Sequence, residues 1–209
     1  MNKKISNEIL NKLELVIKNP KPELNFKNNF ELLIAVILSA QTKDQRVNEV
    51  TAVLFNKYPD PISLANASLE DVIEIIKNLG LANHKAKSII ESSKIIHYQY
   101  KDEVPASLFE LQKLPGVGRK TANVVLALGF NIPALPVDTH LHKMAIRLGY
   151  VGKNSTPLEA EEALKKYIDK NYWIKAHHLF LLYGRYFCLK INPKCDGCNL
   201  KLYCKYVKK

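Results

Sequence analysis

Cysteine is absent from the first 187 residues of this 209-residue chain, and all four cysteines fall in the last 22. With so long a thiol-free stretch, and a chain long enough to bury a real core, a small disulfide-stapled fold is excluded. Arginine is scarce, with 4 against 27 lysines. Lysine, isoleucine and asparagine have AT-rich codons, and their abundance points to a low-GC bacterial genome. Codon usage therefore contributes part of the basic excess. Acidic residues are also few, 20 against 31 basic ones, leaving a formal net charge of +11. Such a balance favours a polyanionic partner, a nucleic acid or an anionic membrane surface. A long apolar run is missing as well. The longest, Leu32 to Ala40, is interrupted by Ser39 and is far shorter than the ~20 residues of a membrane span. The basic N-terminus is not followed by an apolar stretch, so no secretory signal is expected and the chain reads as cytoplasmic. No repeat at a period of 20–50 residues suggests a solenoid. No low-complexity linker divides the chain, and no segment alternates long enough to predict a strand.

Helical spacing dominates what is present. Apolar residues at 5, 9, 10, 13, 16 and 17 form one stripe, and 30 to 38 are apolar nearly all round, the mark of a buried central helix. Val47, Val50, Val53 and Leu54 form another face. Ser68 opens a helix over 69–79, which Gly80 is expected to end by C-cap chemistry. Further helices are predicted over 84–98, 107–113, 118–128, 138–148, 157–170 and 172–188. The fold class is all-α, with roughly ten helices and short connections. The proline-marked stretches 18–26 and 131–136 are the candidate boundaries. They leave a middle helical unit and two chain ends that pack on each other.

The cysteines, Cys188, Cys195, Cys198 and Cys204, follow the spacing C-x6-C-x2-C-x5-C. In a reducing compartment four clustered thiols read as a metal site. Zinc usually takes two C-x2-C knuckles, whereas only one is present. Iron–sulfur clusters tolerate more varied spacings, so both remain open on spacing alone. Lys190, Lys194, Lys201 and Lys205 lie between or beside these thiols. They form either a solvated charge run or a loop facing phosphate, with Lys194 and Lys201 the candidate contacts. A second signal is Leu114-Pro115-Gly116-Val117-Gly118-Arg119-Lys120-Thr121-Ala122. It lacks the spacing of a phosphate-binding Walker loop, and Thr121 occupies the third glycine position of a dinucleotide fingerprint. A glycine turn between two helices instead suits backbone amides that grip a phosphate without reading sequence. Lys120 falls in the first turn of the following helix. The dipole there disfavours an ammonium, and burial and Arg119 would push the same way, towards a nucleophilic amine. Asp138 precedes an apolar-periodic helix and reads first as its N-cap.

These segments resemble the endonuclease III family of DNA glycosylases. The hairpin 114–122, Leu38-Ser39-Ala40-Gln41-Thr42, Pro136-Val137-Asp138-Thr139-His140 and the run from His178 into the four cysteines occur in the family's order along nearly the whole chain. The resemblance implies two helical domains with a cleft between them. Residues 22–132 would carry the helix–hairpin–helix, and 1–21 with 133–209 would carry a 4Fe–4S cluster loop. It implies Lys120 as nucleophile and Asp138 as essential carboxylate. Gly116, Gly118 and Arg119 would bind the DNA backbone, and Gln41 and Leu81 would enter the duplex when the damaged nucleotide is flipped out. His140 and Asp44 match positions near the site. Ala82 departs from the family, which commonly has an aromatic after the leucine. The implied activity is removal of oxidised pyrimidines from duplex DNA, coupled to abasic-site cleavage, by a monomer. The alternatives are a monofunctional adenine glycosylase, which would lack the hairpin lysine and carry a further C-terminal domain, and a non-catalytic DNA-binding or redox module.

Overall fold

The computed structural model describes residues 1–207, and among them eleven α-helices and two short 3-10 turns occur with no strand. The helices are α1 (Lys3–Val16), α2 (Asn29–Leu38), α3 (Asp44–Lys57), α4 (Pro61–Ala65), α5 (Leu69–Ile76) and α6 (Ala82–Tyr100). They continue with α7 (Leu108–Leu111), α8 (Arg119–Gly129), α9 (Thr139–Leu148), α10 (Pro157–Tyr167) and α11 (Trp173–Tyr186). The all-α expectation and the approximate helix number hold. No helix among the described residues is long and apolar enough to cross a membrane.

Side-chain caps explain where most helices begin. Asn2, Asn28, Asp60, Ser68, Ser107, Asp138 and Thr156 each accept a first-turn backbone N–H of the helix they precede. Among the helices without such a cap are α6 and α8, whose N-cap positions are Leu81 and Gly118. The expected end of α5 is corrected. The helix stops at Ile76, and Gly80 is not left-handed. The left-handed residue is Leu81 (φ 62°), so the chain reverses one residue later than the glycine suggested.

Two compact units divide the chain, one of Pro22–Ile132 and the other of Met1–Lys21 together with the chain from Pro133 onward. In the first, α2 is buried on every side from Phe30 to Leu38 and packs against α3, α6 and α8. That explains its near-continuous apolar run. The second unit encloses one core. Ile9 and Leu13 of α1 meet Leu141, Met144 and Leu148 of α9 and Leu179 and Phe180 of α11. Tyr150 is buried there and its hydroxyl lies 2.6 Å from Ser6 Oγ, while burial pushes its phenol up to about 12.

Candidate active site and cysteine centre

The glycine hairpin is built into the Pro22–Ile132 unit. Val117 donates its N–H to Leu114 O (3.1 Å), closing the turn, and Ser92 Oγ of α6 donates to Pro115 O at 2.9 Å. Gly116 has φ +79°, and a Cβ there would lie 3.0 Å from Ser88 Cβ and 3.1 Å from Ile37 Cγ2. Conformation and space both demand glycine. Gly118 differs. Its φ is −87° and nothing lies within 4 Å of an added Cβ. Packing does not require glycine at 118, and the residue is exposed. α8 then starts with no side-chain cap and no acidic residue in its first turn. Its first-turn amides, which have no partner within the helix, are therefore suited to an anion.

Arg119 and Lys120 are both exposed. The burial anticipated for Lys120 is not supplied by the fold. Lys120 does lie in the positive first turn of α8.

Gln41 and Leu81 share an unusual backbone state. Both are left-handed without being glycine (φ 55° and 62°), and both are exposed, Leu81 by 61%. Such residues carry about 1–3 kcal/mol of strain and persist where their surroundings enforce them. Lys85 supplies one such constraint. It is buried at 3% exposure, and its Nζ donates to Thr42 Oγ1 at 2.8 Å, while its backbone N–H donates to Leu81 O at 3.0 Å. The loop after α2 and the start of α6 are thereby tied together. Burial holds the Lys85 ammonium below the ordinary lysine range.

Asp138 belongs to the other unit. Its Oδ1 accepts the Leu141 N–H at 2.8 Å, so the cap expected from sequence is made, and the residue is half-buried. A groove of about 800 Å³ runs along the next turns of α9, lined by His140, His142, Lys143, Lys190 and Lys205 among others. No carboxylate among the described residues lines it. His140 Nδ1 lies 3.3 Å from Gly184 O, and Lys143 Nζ donates to that same carbonyl at 2.9 Å. Burial lowers Lys143 from its usual range, against the opposing pull of Cys188 and Asp138.

The four cysteines line one small cavity of about 20 Å³, and none is in a disulfide. Burial pushes the Cys195 thiol up, and the sulfurs of Cys198, Cys204 and Cys188 add to it. Four thiols lining one cavity are a donor set of the kind that holds thiolate-ligated metal centres. Among the described residues no group of three His, Cys, Asp or Glu converges as the ligands of one ion. Arg147 reaches Cys188 Sγ at 3.1 Å, and Tyr183 Oη lies 3.3 Å from Cys198 Sγ. Lys190, Lys194, Lys201 and Lys205 are all exposed around this loop.

Gly116, Gly118, Arg119 and Lys120 thus share one turn. Lys85 ties Thr42, next to Gln41, to Leu81, and Lys194 lines the cavity of the four cysteines. Lys120 and Asp138 belong to different units. Asp44 is the first residue of α3. Lys85, Arg147 and Tyr183 were missed from sequence. Arg147 alone had a signal. It is one of four arginines in a lysine-rich chain, on the apolar face of α9.

The profile of the HhH-GPD superfamily of base excision DNA repair proteins matches residues 34–170. The endonuclease III of Rickettsia conorii is 46% identical over 203 residues, covering 95% of this chain and 96% of that protein. The chain belongs to the endonuclease III family. Escherichia coli endonuclease III is 41% identical, covering 100% of this chain and 99% of that protein. The solved structure of a trapped endonuclease III–DNA covalent intermediate superimposes with a TM-score of 0.96 at 40% identity, over 100% of this chain and 98% of that one.

Proposed function

We propose that this chain is a bifunctional DNA glycosylase and abasic-site lyase of base excision repair, removing oxidised pyrimidines from duplex DNA. Family membership supports the reaction class, and the observation that carries the chemistry is Lys120 in the uncapped first turn of α8, behind a glycine hairpin. The hairpin amides, with Arg119, hold a backbone phosphate, which positions the strand without reading its sequence. Gln41 and Leu81, already in their strained conformations, fill the stack when the damaged nucleotide leaves it. The neutral Lys120 amine attacks the sugar C1′, the C1′–N bond breaks, and the base departs with its bonding electron pair and takes up a proton. The adduct opens to a Schiff base. Loss of a 2′ proton then expels the 3′ phosphate and nicks the strand. Asp138, held in place as the cap of α9, stabilises positive charge on the sugar and relays protons to and from the amine.

Cys188, Cys195, Cys198 and Cys204 would hold a 4Fe–4S cluster. Four cysteines that share one cavity fit thiolate ligation of such a group. The cluster would supply a rigid cross-link for the loop bearing Lys194 and Lys201, which contact the DNA backbone. A bacterial cytoplasmic location accords with this reading.

Incubation with an abasic-site duplex and borohydride tests it. A covalent adduct is expected with the native chain, and neither adduct nor nick with Lys120→Gln, while DNA binding persists. An adduct retained in Lys120→Gln overturns the nucleophile. Its absence from the native chain overturns the lyase.

A further inference from the structure

The four-cysteine loop is gripped at both of its ends by one side chain. Arg147, 9% exposed near the C-terminus of α9, donates from Nη1 to Cys188 Sγ (3.1 Å) and to Leu189 O (2.8 Å), and from Nη2 to Lys190 O (3.3 Å). Its guanidinium carbon lies 4.3 Å from the centre of the Tyr206 ring, and its own carbonyl accepts the Lys205 N–H at 2.7 Å. The first cysteine and the two residues after the last one are thus anchored to the same point of α9. A lysine, with a single compact ammonium, could not make this fork.

We propose that Arg147 is a positioning residue for the iron–sulfur cluster: it sets the cluster's reduction potential through Cys188 and locks the loop arms that retain the iron. The inference rests on reading the four cysteines as cluster ligands. A guanidinium N–H donated to a ligand sulfur stabilises negative charge there. Reduction adds one electron to the cluster, so the donor favours the reduced form and raises the potential. The bonds to Leu189 O and Lys190 O act separately, by fixing the arm that presents Cys188.

The test uses holoenzyme purified anaerobically as native chain, Arg147→Lys and Arg147→Met. Protein-film voltammetry reads the potential, and a chelator time course with iron analysis reads retention. Both variants are expected to shift the potential negative, Arg147→Met further than Arg147→Lys, which keeps the charge. Partners outside a ligand shell typically contribute 10- to 100-fold to metal affinity, so iron retention is expected to fall by about that factor. A native potential in Arg147→Lys overturns the proposal, even if iron leaves faster, because a purely mechanical clamp would give that result. Should Arg147→Met fail to fold by circular dichroism, Arg147→Lys decides alone. A native protein without iron sinks the cluster reading and the inference with it. Iron in the native protein beside an indifferent Arg147→Lys sinks only the role of Arg147.

Discussion

Asp138 is an N-cap and, in the proposed reaction, a catalytic carboxylate. The two roles make separable predictions. Its Oδ1 holds the Leu141 N–H at 2.8 Å, and asparagine offers the same oxygen to the same amide. Asp138→Asn should therefore unfold at the native temperature while losing about 10²-fold or more in single-turnover cleavage, the usual scale of acid–base assistance. Thermal melts beside single-turnover rates decide it, and native activity would reduce Asp138 to a cap. At this scale the sequence was informative wherever chemistry is carried by local spacing. The four cysteines, the hairpin lysine and the cap can each be read from neighbours a few positions away. Arg147 reaching Cys188, 41 residues on, and Tyr183 reaching Cys198 across the end of α11 cannot, because packing rather than periodicity creates those contacts. Lys120 shows the converse error. Its helical position was legible, but its exposure depends on tertiary surroundings that spacing does not encode.

Within the hairpin element, the two glycines answer to different demands. Gly116 is left-handed and crowded by Ser88 and Ile37, so Gly116→Ala meets both backbone strain and a steric conflict with α6 and α2. A loss of roughly 1–3 kcal/mol in unfolding free energy is expected, from the positive φ alone. Gly118 has an ordinary φ and open space around its missing Cβ, so Gly118→Ala should leave stability within about 0.5 kcal/mol of native. In the proposed binding mode its new methyl group would stand where the hairpin backbone meets phosphate, and weaker binding to damaged and undamaged duplex is the expected result. Denaturant melts and affinities for both variants test this. Equal stability losses would mean that both glycines serve packing. The same contrast explains what was legible of the helices. Capped starts such as Ser68, Ser107 and Asp138 announce themselves by residue type. The turn at Leu81 does not, since a leucine in left-handed backbone violates the local preference that placed the reversal at Gly80.

Across the whole molecule, the basic excess is unevenly held. Residues 22–132 contain 12 basic and 12 acidic side chains, whereas 1–21 and 133–209 together contain 19 and 8. The entire +11 therefore belongs to the unit that carries Asp138 and the cysteines. AT-rich codons would enrich lysine evenly along the chain, so codon usage does not account for this partition. A polyanion-facing surface on this unit would produce it. Lys194 and Lys201, exposed on the cysteine loop, are the members to examine. A loop tied down by Arg147, by Asn199 Nδ2 on Lys12 O and by Tyr203 Oη on Glu8 has already lost its ordering entropy, so its lysines can grip phosphate at little further cost. Replacing both lysines by Glu should weaken binding to damaged and undamaged duplex alike. Each lost phosphate contact should also flatten the slope of log K against log salt by about 0.9, hence by about 1.8 for the pair. Cleavage of pre-bound substrate in a single turnover should change little, because Lys120 and Asp138 are untouched. Salt titrations of affinity for the native and doubly substituted chains measure this directly. An unchanged slope with unchanged affinity would leave Lys194 and Lys201 as solvated charge, and would assign the +11 of this unit to surfaces other than the cysteine loop.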